Sequence, residues 1–420
     1  MVYVSLGMPR SQRARSARAV ANDEAILNAA ISEVLRVGVD HVSLRDVGHQ
    51  AGLTHGATYA RYEDVDELLV DLWNSILRQR AIAMFEICMH AAQEPTIASV
   101  GAIFDYIEHS TPADHACIQV LFTARRIPTL HEEVEPFIHD YLEMGSRVSP
   151  DESATFARGI MVFSVVLIQI FTDSLFGTDP SYLDVLQKLL LETLQTDPRD
   201  IPDIELHETD ERIVLAQGDD LKQQLAFATF GVVGKSGYTH ATISRIARRA
   251  NCSPGAIYKL YPSKEDLVIA ASTDLMRARW MKVRNFINVL EEGSITRLLF
   301  SSASGENAVH QNFMLETSLA AVHSEKLQQA LMSQFGEIEG VLPLLKNLTD
   351  DEIHRLRYLV RSITFTTVGV TFMSTVIGNM QSTNFNQFAE PFRRAILKDG
   401  VPTWSAMRQQ IREMQISAGD

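Results

Sequence analysis

Cysteine is scarce in this chain: Cys88, Cys117 and Cys252 are the three in 420 residues. They are widely spaced and form no CxxC pair, which excludes a disulfide framework, argues against a structural zinc site and fits a reducing, cytoplasmic setting. Glycine and proline are thinly scattered, and no convincing series of alternating strands lies between them. The longest apolar run, 159–177, is interrupted by Ser164, Gln169, Thr172 and Asp173. It falls short of the roughly 20 residues that span a bilayer and reads as a buried or interface helix, so no membrane partner is expected. The first twenty residues lack the apolar stretch of a secretory signal.

Catalytic signatures are missing too. No GxSxG or GxGxxG occurs, and HEEVE at 131–135 lacks the second histidine of a zinc-protease helix. GVVGKS at 231–236 imitates the end of a phosphate-binding loop, but Thr229 stands where the first glycine belongs. Histidines 109, 115, 131 and 139 show no ligand spacing. No catalytic residue, metal or cofactor is expected, and the protein reads as a non-enzyme.

What is present is a duplication. THGATYARYEDVDEL (54–68) and SPGAIYKLYPSKEDL (253–267) align without a gap at an offset of 199. The match runs outward from Gly38/Gly237 to Leu69/Val268, with identities at His41/His240, Ala51/Ala250, Gly56/Gly255, Ala57/Ala256, Tyr59/Tyr258 and Tyr62/Tyr261. The period is too long for a stacked repeat of about 20–50 residues, so a whole domain is duplicated. Apolar spacing around both copies is helical: Ile26, Ala29, Ala30 and Val34 share one face, as do Leu225, Ala228 and Val232.

Each copy spells helix, short turn, helix. In the second, Thr242 caps one helix and Ser253 the next, with Pro254 at its first position, where a missing amide hydrogen costs nothing. Asn251 tolerates the left-handed turn between them, and Ser263 caps a third helix with Glu265 and Asp266 in its acidic first turn. Such a helix-turn-helix places its second helix in the major groove of DNA.

Charge supports that reading. From Thr242 to Lys264 the chain carries Arg245, Arg248, Arg249, Lys259 and Lys264 and no acid, a local +5 in a protein of net −14. A basic stripe of this kind is a footprint for phosphate. Gly255 and Ala256 are small enough for close approach to base edges, and Tyr258 offers a hydroxyl to the DNA backbone. The first copy is weaker. Over Ser43–Val65, Arg45 and Arg61 are offset by Asp46, Glu63 and Asp64, and Val65 replaces the lysine of the second copy. Arg10, Arg13, Arg15 and Arg18 form a basic arm suited to lie along DNA in compensation.

TISRIARRANCSPGAIYKLYPSKEDL closely resembles the DNA-binding domain of TetR-type transcriptional regulators, and SLRDVGHQAGLTHGATYARYEDVDEL is a divergent second instance. The resemblance covers about 45–50 residues in each half. It implies an all-α fold of two tandem units, each an N-terminal helix-turn-helix domain followed by a larger helical ligand-binding and dimerisation domain.

The expected boundaries are a basic arm at 1–21, helix-turn-helix domains at 22–70 and 213–270, helical regulatory domains at 71–195 and 271–420, and an acidic, proline-bearing linker at 196–212. The implied partners are double-stranded operator DNA and a small apolar or amphipathic effector whose binding residues are unknown. Further homodimerisation of the fused chain is left open.

The expected DNA-contact residues are Thr242, Arg245, Ser253, Pro254, Gly255, Ala256, Tyr258, Lys259 and Lys264 in the second head. In the first they are Ser43, Arg45, Thr54, His55, Gly56, Ala57, Tyr59 and Arg61. A helical adaptor or interaction protein in which only the second head, or neither, binds DNA is the alternative.

Overall fold

The computed structural model describes residues 17–146, 150–201, 220–283, 293–303, 308–339, 349–377 and 383–398. Arg10, Arg13 and Arg15 of the basic arm and residues 202–212 of the expected linker lie outside that set, as does the side chain of Arg18. Among the described residues every regular element is a helix and none is a strand, so the fold is all-α.

The first half runs α1 (Ala17–Val37), α2 (Leu44–Gln50), α3 (His55–Tyr59), α4 (Val65–Leu72), a π-helical turn at Trp73–Leu77, α5 (Arg78–Gln93), α6 (Ile97–Glu108), α7 (Pro112–Ala124), α8 (Pro128–Ser146), α9 (Pro150–Phe176) and α10 (Pro180–Gln195). The second half runs α11 (Leu221–His240), α12 (Ile243–Arg249), α13 (Pro254–Leu260), α14 (Lys264–Val283), α15 (Ser294–Ala303), α16 (Ala308–Ala321), α17 (Glu325–Glu339), α18 (Asp350–Ile377) and α19 (Asn386–Lys398).

Equivalent positions take equivalent backbones. Gly38 follows α1 and Gly237 makes a kink inside the last turn of α11, at φ 82° and 79°, a region L side chains rarely enter. The turn between the second and third helices uses Gly52 (φ 67°) in one half and Asn251 (φ 50°) in the other. Both are residues that reach left-handed geometry at low cost.

The expected apolar faces are buried. Ile26, Ala30 and Val34 of α1 are fully enclosed, and Leu225 and Ala228 of α11 are buried against the rest of the second half. GVVGKS lies inside α11, and its glycines serve packing. A Cβ on Gly234 would come within 3.0 Å of the Val309 carbonyl of α16, and one on Gly231 within 2.6 Å of the Arg249 guanidinium. Phe230 and Phe313 pack edge-on at 4.8 Å beside that contact.

The interrupted apolar run proves to be part of a 27-residue helix, α9. Ser164 and Thr172 return their hydroxyls to carbonyls one turn back, at Ile160 (3.0 Å) and Ile168 (2.7 Å), which lets the polar positions stay buried. α9 and α18 are long and apolar enough to cross a bilayer by length and composition, yet 83% and 67% of those stretches are buried within the protein. They pack on each other, and α10 packs on α19, so the late helices of the two halves form a joint layer.

A Cβ on Gly369 would meet the Ser164 carbonyl at 2.5 Å, which marks how closely α9 and α18 approach. Phe122, Phe171 and Phe372 cluster edge to face at 5.4–6.0 Å across the same junction. One hydrophobic core is continuous through both halves.

Candidate nucleic-acid interface

The helix-turn-helix of the second half forms as its caps dictate. Thr242 Oγ1 accepts from the Arg245 amide (3.3 Å) and Ser253 Oγ from the Ala256 amide (3.2 Å), each satisfying a donor the helix leaves unpaired. Ile246, Ala247, Ala250 and Ile257 are buried between the two helices and the remainder of the head. The opposite face is turned outward: Ser253, Pro254, Gly255, Tyr258 and Lys259 are exposed and Ala256 is half-buried. Tyr258 stands 55% exposed, with its ring and hydroxyl open to a partner.

Gly255 is the informative residue on this face. Its φ is not left-handed. A Cβ built there would touch nothing closer than its own neighbour Ser253 Oγ, at 3.8 Å. Glycine inside a helix costs about 0.5–1 kcal/mol relative to alanine, and nothing within the chain requires it here.

The first half repeats the arrangement. Gly56 is exposed in α3, and a Cβ there would meet nothing within 4 Å. Tyr59 is 47% exposed, Thr54 is exposed and Ala57 half-buried. His55 occupies the first position of α3 by its backbone. Ser43 caps α2 by accepting from the Asp46 amide at 3.1 Å, whereas Thr54 makes no side-chain cap bond. Tyr62 is core, as its spacing suggests: it is 5% exposed, and its hydroxyl donates to Asp71 at 2.6 Å.

The two heads differ inside as well as outside. Ala247 and Ile257 pack in the second; Gly48 and Thr58 hold the equivalent places in the first. Thr58 is fully buried and its hydroxyl has no hydrogen-bond partner.

The cations divide into outward and inward sets. Arg45, Arg248 and Lys259 are exposed. Arg61 pairs with Asp23 of α1, which draws its charge back onto the head. Arg245 donates from Nη1 to the His240 carbonyl at 3.0 Å. Lys264 Nζ donates to the Tyr238 carbonyl at 2.9 Å and lies 4.1 Å from the centre of the Tyr238 ring. Burial lowers the Lys264 pKa from its usual value, and burial likewise pushes the Tyr238 phenol up to about 12. The ammonium therefore closes α14 against the end of α11 while remaining only half-buried.

A set of residues that the sequence did not single out joins the heads to the helical bodies. Arg126, at the end of α7, donates through both terminal nitrogens to Asp40 of the first head (2.6 and 2.8 Å) and through Nε to Glu316 of α16 (2.9 Å). Arg125 also pairs with Glu316 and donates to the Gly234 carbonyl of α11 at 3.0 Å. Gly237, in the turn of the second head, lies so close to Arg126 that a Cβ would come within 2.8 Å of its guanidinium carbon. His41 Nε2 and Thr239 Oγ1, 3.2 Å apart, bring the equivalent turns of the two heads into direct contact. Glu316 is 1% exposed; burial raises its pKa and the two guanidiniums work against that rise.

Residues 228–271, which contain the second helix-turn-helix, match the model of the family described as bacterial regulatory proteins, tetR family. No curated protein matches the chain.

Proposed function

We propose, for a chain that carries a tetR-family DNA-binding domain at residues 228–271, a cytoplasmic, ligand-responsive transcriptional repressor whose two non-identical heads act as a covalent pseudo-dimer. The observation that carries the reading is the pair of exposed glycines, Gly56 and Gly255, at one position of two outward-facing helices, where internal packing gives neither a reason to be glycine. A duplex pressed against those helices supplies the reason, because a helix backbone approaches base edges most closely where no side chain intervenes.

The proposed contact set is Thr242, Arg245, Ser253, Pro254, Ala256, Tyr258, Lys259 and Lys264 with Gly255 in the second head, and Ser43, Arg45, Thr54, His55, Ala57, Tyr59 and Arg61 with Gly56 in the first. The similar succession of helices in the two halves, with α14 standing where α4, the π-helical turn and α5 stand in the first, and the joint layer of α9, α10, α18 and α19 support the pseudo-dimer. Paired heads of this kind read major-groove faces about 34 Å apart, one helical turn. Because the heads differ in charge and packing, their operator is an imperfect palindrome.

An effector acts by preferring one spacing of the heads, since equal affinity for both spacings shifts nothing. The Arg125, Arg126, Glu316 and Asp40 cluster is the physical link available for such a shift.

The test is binding of the full chain to the intergenic DNA beside its own gene, followed by fluorescence anisotropy over a salt series with random DNA as competitor. Specific binding that weakens steeply with salt is expected. Equal affinity for random DNA at every salt concentration would sink the proposal.

A further inference from the structure

A cavity of about 370 Å³ opens between the two halves. The last turns of α9, the α9–α10 connection and the start of α10 line one side, and α18 with Met332 of α17 lines the other. Its size falls in the range that holds small organic ligands, roughly 300–1,000 Å³.

The charges around it do not cancel. Arg361 is engaged: Nη1 lies 3.3 Å from Asp179, and the guanidinium sits 5.4 Å from the ring centre of Tyr182 and 6.0 Å from that of Tyr358. Asp179 in turn caps α10 by accepting from the Tyr182 amide at 3.3 Å. Asp173 is the second carboxylate of the lining, and its hydrogen-bond partner is the neutral Thr178 hydroxyl. The titratable group facing Asp173 from α7 is His115, whose ring nitrogens meet Ser110 and Ser174 at 3.0 Å and whose pKa burial lowers. Two carboxylates against one guanidinium leave the lining at −1.

Around that charge the walls are aromatic and aliphatic. Tyr182 and Phe365 meet edge on at 6.0 Å, and Phe176, Leu183 and Val360 complete the apolar side. A carboxylate with a neutral partner beside aromatic and aliphatic walls selects an organic cation that carries an apolar ring, through charge and through apolar contact.

We infer that this cavity is a binding site for an aromatic ammonium-type cation, with Asp173 as its counter-charge and Tyr182 and Phe365 as its aromatic wall. The site is built from both halves of the chain, and α17, which carries Met332, is bonded to the helix leading from the second head. Lys326 pairs with Asp266 at 2.5 Å, and Gln334 donates to Thr273 at 3.0 Å. The inference gives the effector of the proposed regulator a chemical class, and it rests on that reading only for the consequence at DNA, not for binding itself.

The experiment therefore contains no DNA. Full-length protein is titrated calorimetrically with 1-naphthylmethylammonium, 1-naphthalenemethanol and 1-naphthylacetate, which share one ring system and differ in charge. The cation is expected to bind tightest. Asp173→Asn, which keeps a hydrogen-bonding group beside Thr178, should weaken the cation about tenfold, the scale of a partly exposed ion pair, and leave the alcohol unchanged. Met332→Trp, which fills the cavity from an exposed position, should weaken all three. Equal affinities for the three probes, a preference for the acetate, or cation binding indifferent to both substitutions would overturn the assignment.

Discussion

Replacing Gly255 with alanine separates what the chain requires at that position from what its partner requires. The added methyl group meets only Ser253 Oγ at 3.8 Å, ordinary van der Waals contact, and the backbone there is not left-handed. Within the free protein the substitution removes the extra conformational freedom of glycine in the unfolded chain, so stability should rise by about 0.4–1 kcal/mol. In the proposed complex with DNA the same methyl would stand at the closest approach of α13 to the base edges. One disturbed base contact costs about 1–3 kcal/mol, so specific affinity should fall roughly 5- to 150-fold. The two effects have opposite signs, which no general disturbance of folding produces. Denaturant midpoints and anisotropy titrations on one preparation measure both. Unchanged affinity for the operator would show that Gly255 does not face the duplex, and a loss of stability would show that the open space around it is wrong. Gly56→Ala applies the same logic to the first head.

Four further substitutions test other parts of the account. Lys264→Ala should cost about 1 kcal/mol of stability by removing the ammonium from the Tyr238 ring and carbonyl, and should lower the salt slope of DNA binding by about one unit; an unchanged slope would confine Lys264 to its own chain. Glu316→Gln leaves Arg125 and Arg126 enclosed with Asp40 as the remaining carboxylate, and should destabilise the protein by about 3–5 kcal/mol, read by chemical denaturation. Thr58→Val removes a buried hydroxyl that has no partner and should stabilise the first head by about 1 kcal/mol, visible as slower exchange of its amide protons. Asp114→Asn probes acid sensitivity. Burial raises the Asp114 pKa, but bonds from Arg80, Thr111 and Tyr106 outweigh it and hold the net value below normal. Its stabilisation is therefore present above the unfolded value, near pH 4, and is lost as pH falls through the folded one. The variant should be less stable at pH 7 and lose less on acidification than the parent; parallel acid titration curves would contradict this.

Features decided within three or four residues could be read from the chain before any coordinates. Thr242 and Ser253 cap as expected because an N-cap acts on the amide three residues on, and Asn251 takes the left-handed turn that its side chain tolerates. Identical glycines at positions 38 and 237 mark one backbone geometry used twice.

What depends on distant partners was not legible. Arg126 and Glu316 are 190 residues apart, and each alone looks like a solvated surface charge. The contact of Lys264 with Tyr238, brought beside it by the turn at Gly237, leaves no trace in the local sequence. The interrupted run was legible as a buried helix, but the bonds that let Ser164 and Thr172 stay inside it, back to their own helix, were not. The cavity draws its lining from segments up to about 250 residues apart, from Ile107 to Phe365, and leaves no local signature.

Base-resolution footprinting of the full chain on its operator tests most directly whether one chain places two different heads on DNA. The account predicts two protected patches about one helical turn apart, unequal in base sequence. It further predicts that Gly255→Glu abolishes one patch while Gly56→Glu abolishes the other. A single patch insensitive to Gly56→Glu, or two patches of perfect two-fold symmetry, would contradict it.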